Sequence, residues 1–193
     1  MGTQLETLGD TCCTPRSMSL LKAEEIDTRQ TKAAAKDIQS SQGTSQHDQN
    51  ETVASSNMLT VVQPGGSTYT GEIRNDMKHG YGVLVWEDGS KHEGAWQCDM
   101  ANGYGRLDSA DGNVYEGMWF NDQAHGKGKL IRADGGVYEG YWVHDKQHGE
   151  GTETWPDGTQ FQGKYYEGKR EGHGTMYFTN GGIYRGNFVN NEI

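Results

Sequence analysis

The sequence predicts an all-β protein: an elongated, twisted, single-layer antiparallel sheet built from stacked 23-residue β-hairpins. One pattern of aromatic residues and glycine restarts every 23 residues without an insertion. Only 32% of the residues are hydrophobic while 29 are glycine, too little apolar material for a thick core. Phe, Trp and Tyr make up 10% of the chain, and each such ring buries a large area, which suits a thin sheet.

The repeat divides the chain into three parts. A period of this length is the signature of units that bury their apolar faces only by stacking on their neighbours. Residues 1–57 precede the pattern, residues 58–68 fit the second half of an earlier unit and are predicted to cap the first edge, and residues 69–193 form the repeat domain. Its six starting residues, the last opening a half unit, are Tyr69, His92, Tyr115, Tyr138, Phe161 and Tyr184.

Each unit is predicted to form two strands. In the first, Tyr-x-Gly-x-Trp, strand alternation places both rings and the glycine on one face, as in Tyr115, Gly117 and Trp119. A turn of Asn, Asp or Gly leads to a second strand that opens with Gly-x-Gly and ends at an Asp-Gly or Asn-Gly pair, a strong hairpin signal. The glycines leave shallow spaces over which neighbouring rings lie flat on the backbone.

These units resemble MORN (membrane occupation and recognition nexus) repeats, whose pattern is YxGxWxxGxxHGxGxxxxxDGxxYxG. The likeness covers residues 69–193 and leaves the units from 115 to 160 as the most complete, so these two units are where a partner is expected to bind. Departures from the pattern are Ile73 for Trp, His92 and Phe161 for Tyr, Ala101-Asn102 before Gly103, and Glu171 for His. The resemblance raises the expectation of a homodimer.

The N-terminal 57 residues are rich in Ser, Thr, Gln, Asp and Lys and are predicted to be disordered or partly helical. A candidate helix runs from Ser19 to Gln39, with Ser19 as its N-cap. Gly2, Cys12 and Cys13 are candidate lipidation sites, because myristate on Gly2 needs a second acyl chain for stable anchoring. Glu6 stands where the myristoylation pattern has Ser or Thr, so an incidental Gly2 with two ordinary thiols is the alternative.

Charge and hydropathy restrict the partners and the compartment. The net charge of −10 is spread along the chain without the basic patch of a nucleic-acid binder, so we expect no nucleic-acid partner. No run approaches the ~20 apolar residues of a membrane span, and no secretory signal is recognised. We expect a cytoplasmic protein, at the cytoplasmic face of a membrane if acylated, or associated with the cytoskeleton or a cilium. Three cysteines, two of them adjacent, do not suggest a disulfide framework.

No residue pattern predicts catalysis, a cofactor or a metal site. His79, His125 and His148 recur at one repeat position, but units ~10 Å apart cannot bring them to one zinc ion, so a hydrogen bond in the turn is favoured. Cys98 lies in a predicted turn beside Asp99, and no base recurs near it that would activate a nucleophile. No helix follows the Gly-x-Gly segments as in a phosphate loop. We therefore predict that the protein is not an enzyme.

Binding is the remaining role, and the aromatic rings are its candidate residues. Many rings on one face suit a groove for an extended peptide or helix of a protein partner. The predicted partner-binding residues are Trp96, Tyr115, Trp119, Tyr138, Trp142, Tyr165 and Tyr184. If every ring is used up on neighbouring glycines, binding moves to the opposite, variable face that carries Glu72, Met118, Tyr141 and Lys164.

Three functions follow from these expectations. The first is a scaffold that binds a partner protein and is tethered to the cytoplasmic side of a membrane by N-terminal acylation. The second is direct phospholipid binding, which the acidic charge disfavours because bilayer surfaces are anionic. The third is a structural homo-oligomer of a ciliary or cortical cytoskeleton, since an unpaired strand edge near the last residue is a template for another chain.

Overall fold

The computed structural model describes residues 58–193, and every regular element in this range is a β-strand. The strands are β1 (Leu59–Val62), β2 (Thr68–Arg74), β3 (Met77–Val85), β4 (Lys91–Gln97), β5 (Met100–Asp108), β6 (Val114–Phe120), β7 (Gln123–Ile131), β8 (Val137–Val143), β9 (Lys146–Thr154), β10 (Gln160–Tyr166), β11 (Lys169–Tyr177) and β12 (Ile183–Phe188). Strands of seven and nine residues alternate from β2 to β11, which is the two-strand unit repeated.

The strands form one open sheet in which each strand pairs antiparallel with the next along the chain, in the order β1 to β12. The predicted all-β, single-layer antiparallel fold is confirmed. Glycine faces glycine across every strand boundary from β2 to β12, as in Gly71 with Gly82 and Gly82 with Gly94. Within each of the five full units the pairing register shifts just after the glycine of the first strand, as between Gly71 and Glu72, because the second strand carries two extra residues there.

Two-residue turns connect the two strands inside each unit. Both residues of these turns have positive φ, for example 51° at Asn75 and 60° at Asp76, which is the type I′ turn that Asn, Asp and Gly tolerate. The turn aspartate also bonds the preceding unit: Asp122 Oδ1 accepts from the Ala101 backbone N–H at 2.6 Å, and Asp145 Oδ1 from Ala124 at 2.7 Å. The turns thereby fasten neighbouring units together.

The Asp-Gly and Asn-Gly pairs lie between units, at the predicted chain reversals. They are part of three-residue loops and do not form the whole turn: Gly89 donates its N–H to the Trp86 carbonyl, and Trp86 donates to the Ser90 carbonyl. Gly89 alone has positive φ there, at 87°, as in a type I turn followed by a bulge. The aspartate accepts from the N–H two residues on, as in Asp88 with Ser90 at 2.8 Å.

Alternation along the strands gives the sheet two unlike faces. The aromatic face carries the rings of the repeat, together with Leu84 and its equivalents, and forms the core. The outer face carries polar residues and the exposed rings of Tyr81, Tyr104 and Tyr141. On β1, Leu59 pairs with Gly71 and Val61 with Tyr69, so both lie over the edge of the aromatic face while 50% and 41% exposed.

Several expectations fall outside the described residues: Gly2, Cys12, Cys13 and the candidate helix from Ser19 to Gln39. They stay predictions. Within residues 58–193 there is no helix that could cross a membrane.

Candidate protein-binding site

The rings of the aromatic face form one continuous series of edge-to-face contacts. Tyr115 lies 5.0 Å from Trp119 of its own strand and 5.3 Å from Trp142 of the next unit, with ring planes at 83° and 90°. Edge-to-face pairs at such distances each contribute roughly 0.5–1.5 kcal/mol beyond the area they bury. The series extends without a break from Tyr69 to Tyr184. Neighbouring units therefore share their core.

The tyrosines that open three of the full units, Tyr69, Tyr115 and Tyr138, each lie over two glycines. A Cβ built on Gly140 or on Gly151 would stand 2.5 Å from the Tyr138 hydroxyl. That hydroxyl donates to the Tyr141 backbone carbonyl at 3.0 Å, and burial raises the pKa of Tyr138 above its ordinary value. The rings of the sheet therefore pack on glycines, as the sequence predicted.

The tryptophans at the fifth position of the repeat also pack within the sheet. Each indole Nε1–H donates to a glycine carbonyl of an adjacent strand: Trp96 to Gly82 at 3.0 Å, and Trp119 to Gly105 at 3.1 Å. Six of the seven predicted partner-binding rings are at most 9% exposed, and Tyr184 is partly buried. Their role in binding stays a prediction, because packing within the sheet alone accounts for their positions.

His92 breaks this packing scheme. It replaces the tyrosine of the second unit, and its Nε2 covers only one of the two glycines, lying 2.9 Å from where a Cβ of Gly105 would stand. The residue is 2% exposed, and its Nε2 has no hydrogen-bond partner among the described residues. Burial lowers the pKa of His92 to about 4. The imidazole is therefore neutral at pH 7.

Glu153 is a second departure from the pattern, standing where other units have Leu84, Leu107 or Leu130. It is 7% exposed and is held by two partners: the Arg132 guanidinium forms an ion pair with its Oε1, and the Tyr165 hydroxyl donates to its Oε2 at 2.8 Å. Tyr165 itself replaces the tryptophan of the repeat. Two departures from the repeat pattern thus satisfy each other.

Removing this carboxylate is expected to destabilise the sheet strongly. Glu153→Ala leaves the buried Tyr165 hydroxyl and the Arg132 guanidinium without their acceptor, at a cost of about 3 kcal/mol. The double variant Glu153→Leu, Tyr165→Trp restores the arrangement of the other units and should recover most of that loss. Urea unfolding followed by tryptophan fluorescence measures both, and equal loss in the two variants would contradict this account.

A cavity of about 420 Å³ opens on the aromatic face at the first two units; we call it the Trp86 cavity. It is lined by Gln63, Lys78, Leu84, Trp86, His92, Trp96, Asp99, Ala101, Leu107, Trp119 and Asp122. Trp86 is its most accessible indole at 37% exposure, since the other two belong to the buried series. Its volume and its mixture of apolar walls with a few charged groups are typical of binding sites.

Two of the predicted partner-binding residues, Trp96 and Trp119, line this cavity, whereas the expected centre of binding was the unit pair 115–160. Trp86 was not singled out from the sequence, although a tryptophan outside the repeat pattern was the available signal. The polar lining residues were also missed. Lys78 lies next to the two-residue turn inside the following unit, and only the fold brings it to Asp99 of that turn.

The outer face carries the alternative binding residues of the sequence analysis, of which Tyr141 is 42% exposed. Tyr81 and Tyr104, 52% and 48% exposed, donate their hydroxyls to Glu93 and Glu116 of the following strand. Lys127 lies over the Tyr141 ring at 5.7 Å. Its side chains pair with one another along the sheet, so this face presents a polar surface with scattered exposed rings.

The recurring histidines make ring contacts. His125 lies 5.3 Å from His144 of the next unit, and His148 lies 5.3 Å from the Tyr166 ring. His125 Nδ1 has no hydrogen-bond partner within the described range, so this nitrogen does not make the expected turn hydrogen bond. Among residues 58–193 no three His, Cys, Asp or Glu side chains are grouped to hold a metal ion.

The fold and the shared aromatic core define a single-sheet β-repeat protein. The family model described as MORN repeat matches residues 69–91, 92–114, 115–137, 138–160 and 161–183. The chain belongs to the MORN repeat family.

Other comparisons are more distant. No curated protein matches the chain. Among solved structures, the SAS-4 (dCPAP) TCP domain in complex with a proline-rich motif of Ana2 (dSTIL) of Drosophila melanogaster is similar at 10% identity and TM-score 0.33, over 75% of this chain and 99% of that chain. A streptogramin B lyase is similar at 12% identity and TM-score 0.19, over 72% of this chain and 58% of that chain.

Proposed function

We propose that this protein is a non-catalytic scaffold that binds a partner protein on the aromatic face of its MORN sheet. The observation that carries the proposal is the Trp86 cavity, a concave site on the aromatic face with an accessible indole. The sheet around it is held by Trp96 and Trp119 in the ring series and by Asp99 and Asp122 in the turns. A site held in this way binds with little loss of conformational entropy.

Attachment to a membrane is the second part of the proposal. Acyl chains on Gly2 and on Cys12 or Cys13 would anchor the scaffold, because one chain alone binds only marginally. The acidic net charge of −10 disfavours direct binding to anionic lipid, so the acyl chains would provide the affinity. The intact mass of the protein isolated from its own cells tests this, and an unmodified N-terminus contradicts it.

Site-directed photo-cross-linking in those cells tests partner binding and its location. A photoreactive residue at Gln63, in the wall of the cavity, is expected to capture one partner protein, identified by mass spectrometry. The matched reporter at Tyr104, exposed on the outer face, should not capture it. Capture from Tyr104 alone moves the site to the outer face, and cross-links only between copies of the chain indicate a homo-oligomer. Either result contradicts the proposal.

A further inference from the structure

We propose that the Trp86 cavity binds a basic side chain, arginine or lysine, presented by an extended segment of the partner protein. This inference rests on the proposed function and specifies the chemistry of the partner at that site.

The walls of the cavity suit a long side chain with a cationic end. Leu84 and Leu107 provide apolar surface, against which the aliphatic part of an arginine or lysine packs while its charged end stays near polar groups. The Trp86 indole is the accessible ring, and cations bind preferentially over the face of tryptophan.

The charge in the cavity is negative and accessible. Three ionised residues line it, the acids Asp99 and Asp122 and the base Lys78. Lys78 is already occupied: its Nζ lies 3.5 Å from Asp99 Oδ1 and 5.2 Å from the centre of the Trp96 ring. Its side chain is 11% exposed, against 49% for Asp99. An approaching group therefore meets carboxylate before ammonium.

The remaining polar residue, His92, adds no opposing charge. Its imidazole is neutral at pH 7, since burial lowers its pKa to about 4. Over a longer range the net charge of −10 favours the approach of a cationic segment.

This combination belongs to the first two units. The residues that align with Trp86 in the second, third and fourth units are Ser109, Arg132 and Trp155. Serine provides no ring, and the Arg132 guanidinium is paired with Glu153. The Trp155 ring is already covered by the Arg170 guanidinium at 5.4 Å. A basic segment should therefore anchor at one end of the sheet.

The test uses the full chain labelled with ¹⁵N and a fluorescein-labelled octapeptide of alternating Arg and Ala at 150 mM salt, where distant surface charges are screened. Five tryptophans give five indole N–H signals. Peptide binding should shift the signals of Trp86, Trp96 and Trp119 and leave Trp142 and Trp155 in place. Equal shifts at all five, or no binding at millimolar peptide, would overturn the inference.

Replacing aspartate with asparagine distinguishes the effect of the negative charge from the effect of the hydrogen bond. Asp99→Asn with Asp122→Asn keeps the oxygens that accept from Lys78 and Ala101 and tolerates the positive φ of both positions. This double variant should weaken the peptide at least tenfold by fluorescence anisotropy. The control, Asp76→Asn with Asp145→Asn, changes the same turn position and the same charge outside the cavity, and should bind like the unmodified protein.

The outcomes separate the two proposals. If both double variants bind the peptide alike, or if a peptide of alternating Gln and Ala binds as well as the Arg peptide, the inference of a basic side chain is wrong. Capture of a partner from Gln63 would still support the scaffold. If no partner is captured from Gln63, the proposed function fails whatever the peptide does.

Discussion

Replacing Gly151 with alanine is expected to destabilise the protein by about 3 kcal/mol, although alanine suits a β-strand better than glycine. The new Cβ would stand 2.5 Å from the Tyr138 hydroxyl and 2.7 Å from Cε2 of its ring. Tyr138 is fully buried and lies between Trp142 and Tyr165, at 5.1 Å from each. The ring has no space into which to move.

The chain contains a matched control for this variant. Gly105 occupies the same repeat position, but its Cβ would meet the shorter His92 side chain at 2.9 Å. His92 is also buried, but the overlap is smaller, so Gly105→Ala should cost less than Gly151→Ala, about 2 kcal/mol. Adding His92→Tyr to Gly105→Ala should raise the cost to that of Gly151→Ala. Urea unfolding measures all three, and equal losses for Gly105→Ala and Gly151→Ala would contradict the packing of rings on glycine.

Acidification is expected to destabilise the protein through His92. Its pKa is about 4 in the folded chain against 6.5 for the free side chain, so the unfolded state binds the proton more tightly. The contribution of His92 to the free energy of unfolding is fully present above pH 6.5. It is lost as the pH falls from 6.5 towards 4, by about 3 kcal/mol in all.

His92→Tyr should remove this loss and stabilise the sheet at pH 7. The phenol would reach the Ala95 carbonyl, as Tyr115 reaches that of Met118 at 3.0 Å, for a gain of roughly 1 kcal/mol. His92→Phe, which copies Phe161 at the same repeat position, removes the proton without adding the hydrogen bond. Unfolding free energies at pH 7 and pH 5 measure each. An unchanged pH dependence in both variants would show that another group titrates.

The Trp86 cavity depends on side chains that these stability variants partly alter. His92→Tyr enlarges the side chain at its edge, so peptide binding to that variant should be interpreted with the unfolding data. Gly151→Ala and Glu153→Ala act two units away. They are therefore the better tests of packing alone.

Much of the fold was predictable from the sequence because the repeat is exact. A uniform 23-residue period determined the strand pairs, and Asp-Gly or Asn-Gly between units with an Asp or Gly in each turn inside a unit indicated the chain reversals. The bond from Asp122 to Ala101 in the preceding unit was not predictable. The partners are 21 residues apart, and only the sheet brings them together.

The candidate site was predictable in part. Aromatic rings at each period predicted an aromatic face, and the structure has one. The exposure of each ring could not be predicted, because the residue type is the same whether the ring packs on glycine or is accessible to a partner. Trp119 is 9% exposed and Trp86 37%, and that contrast arises from their neighbours.

By itself the sequence determined the family, the period, the strand order and the residues of the aromatic face, since each depends on local pattern repeated in register. The tertiary structure alone decided which rings are covered, that Glu153 finds Arg132 and Tyr165, and that Lys78 and Asp99 meet beside Trp86. These are contacts between residues 12 or 21 positions apart. Their strength depends on burial and distance, which exist only once the units are stacked.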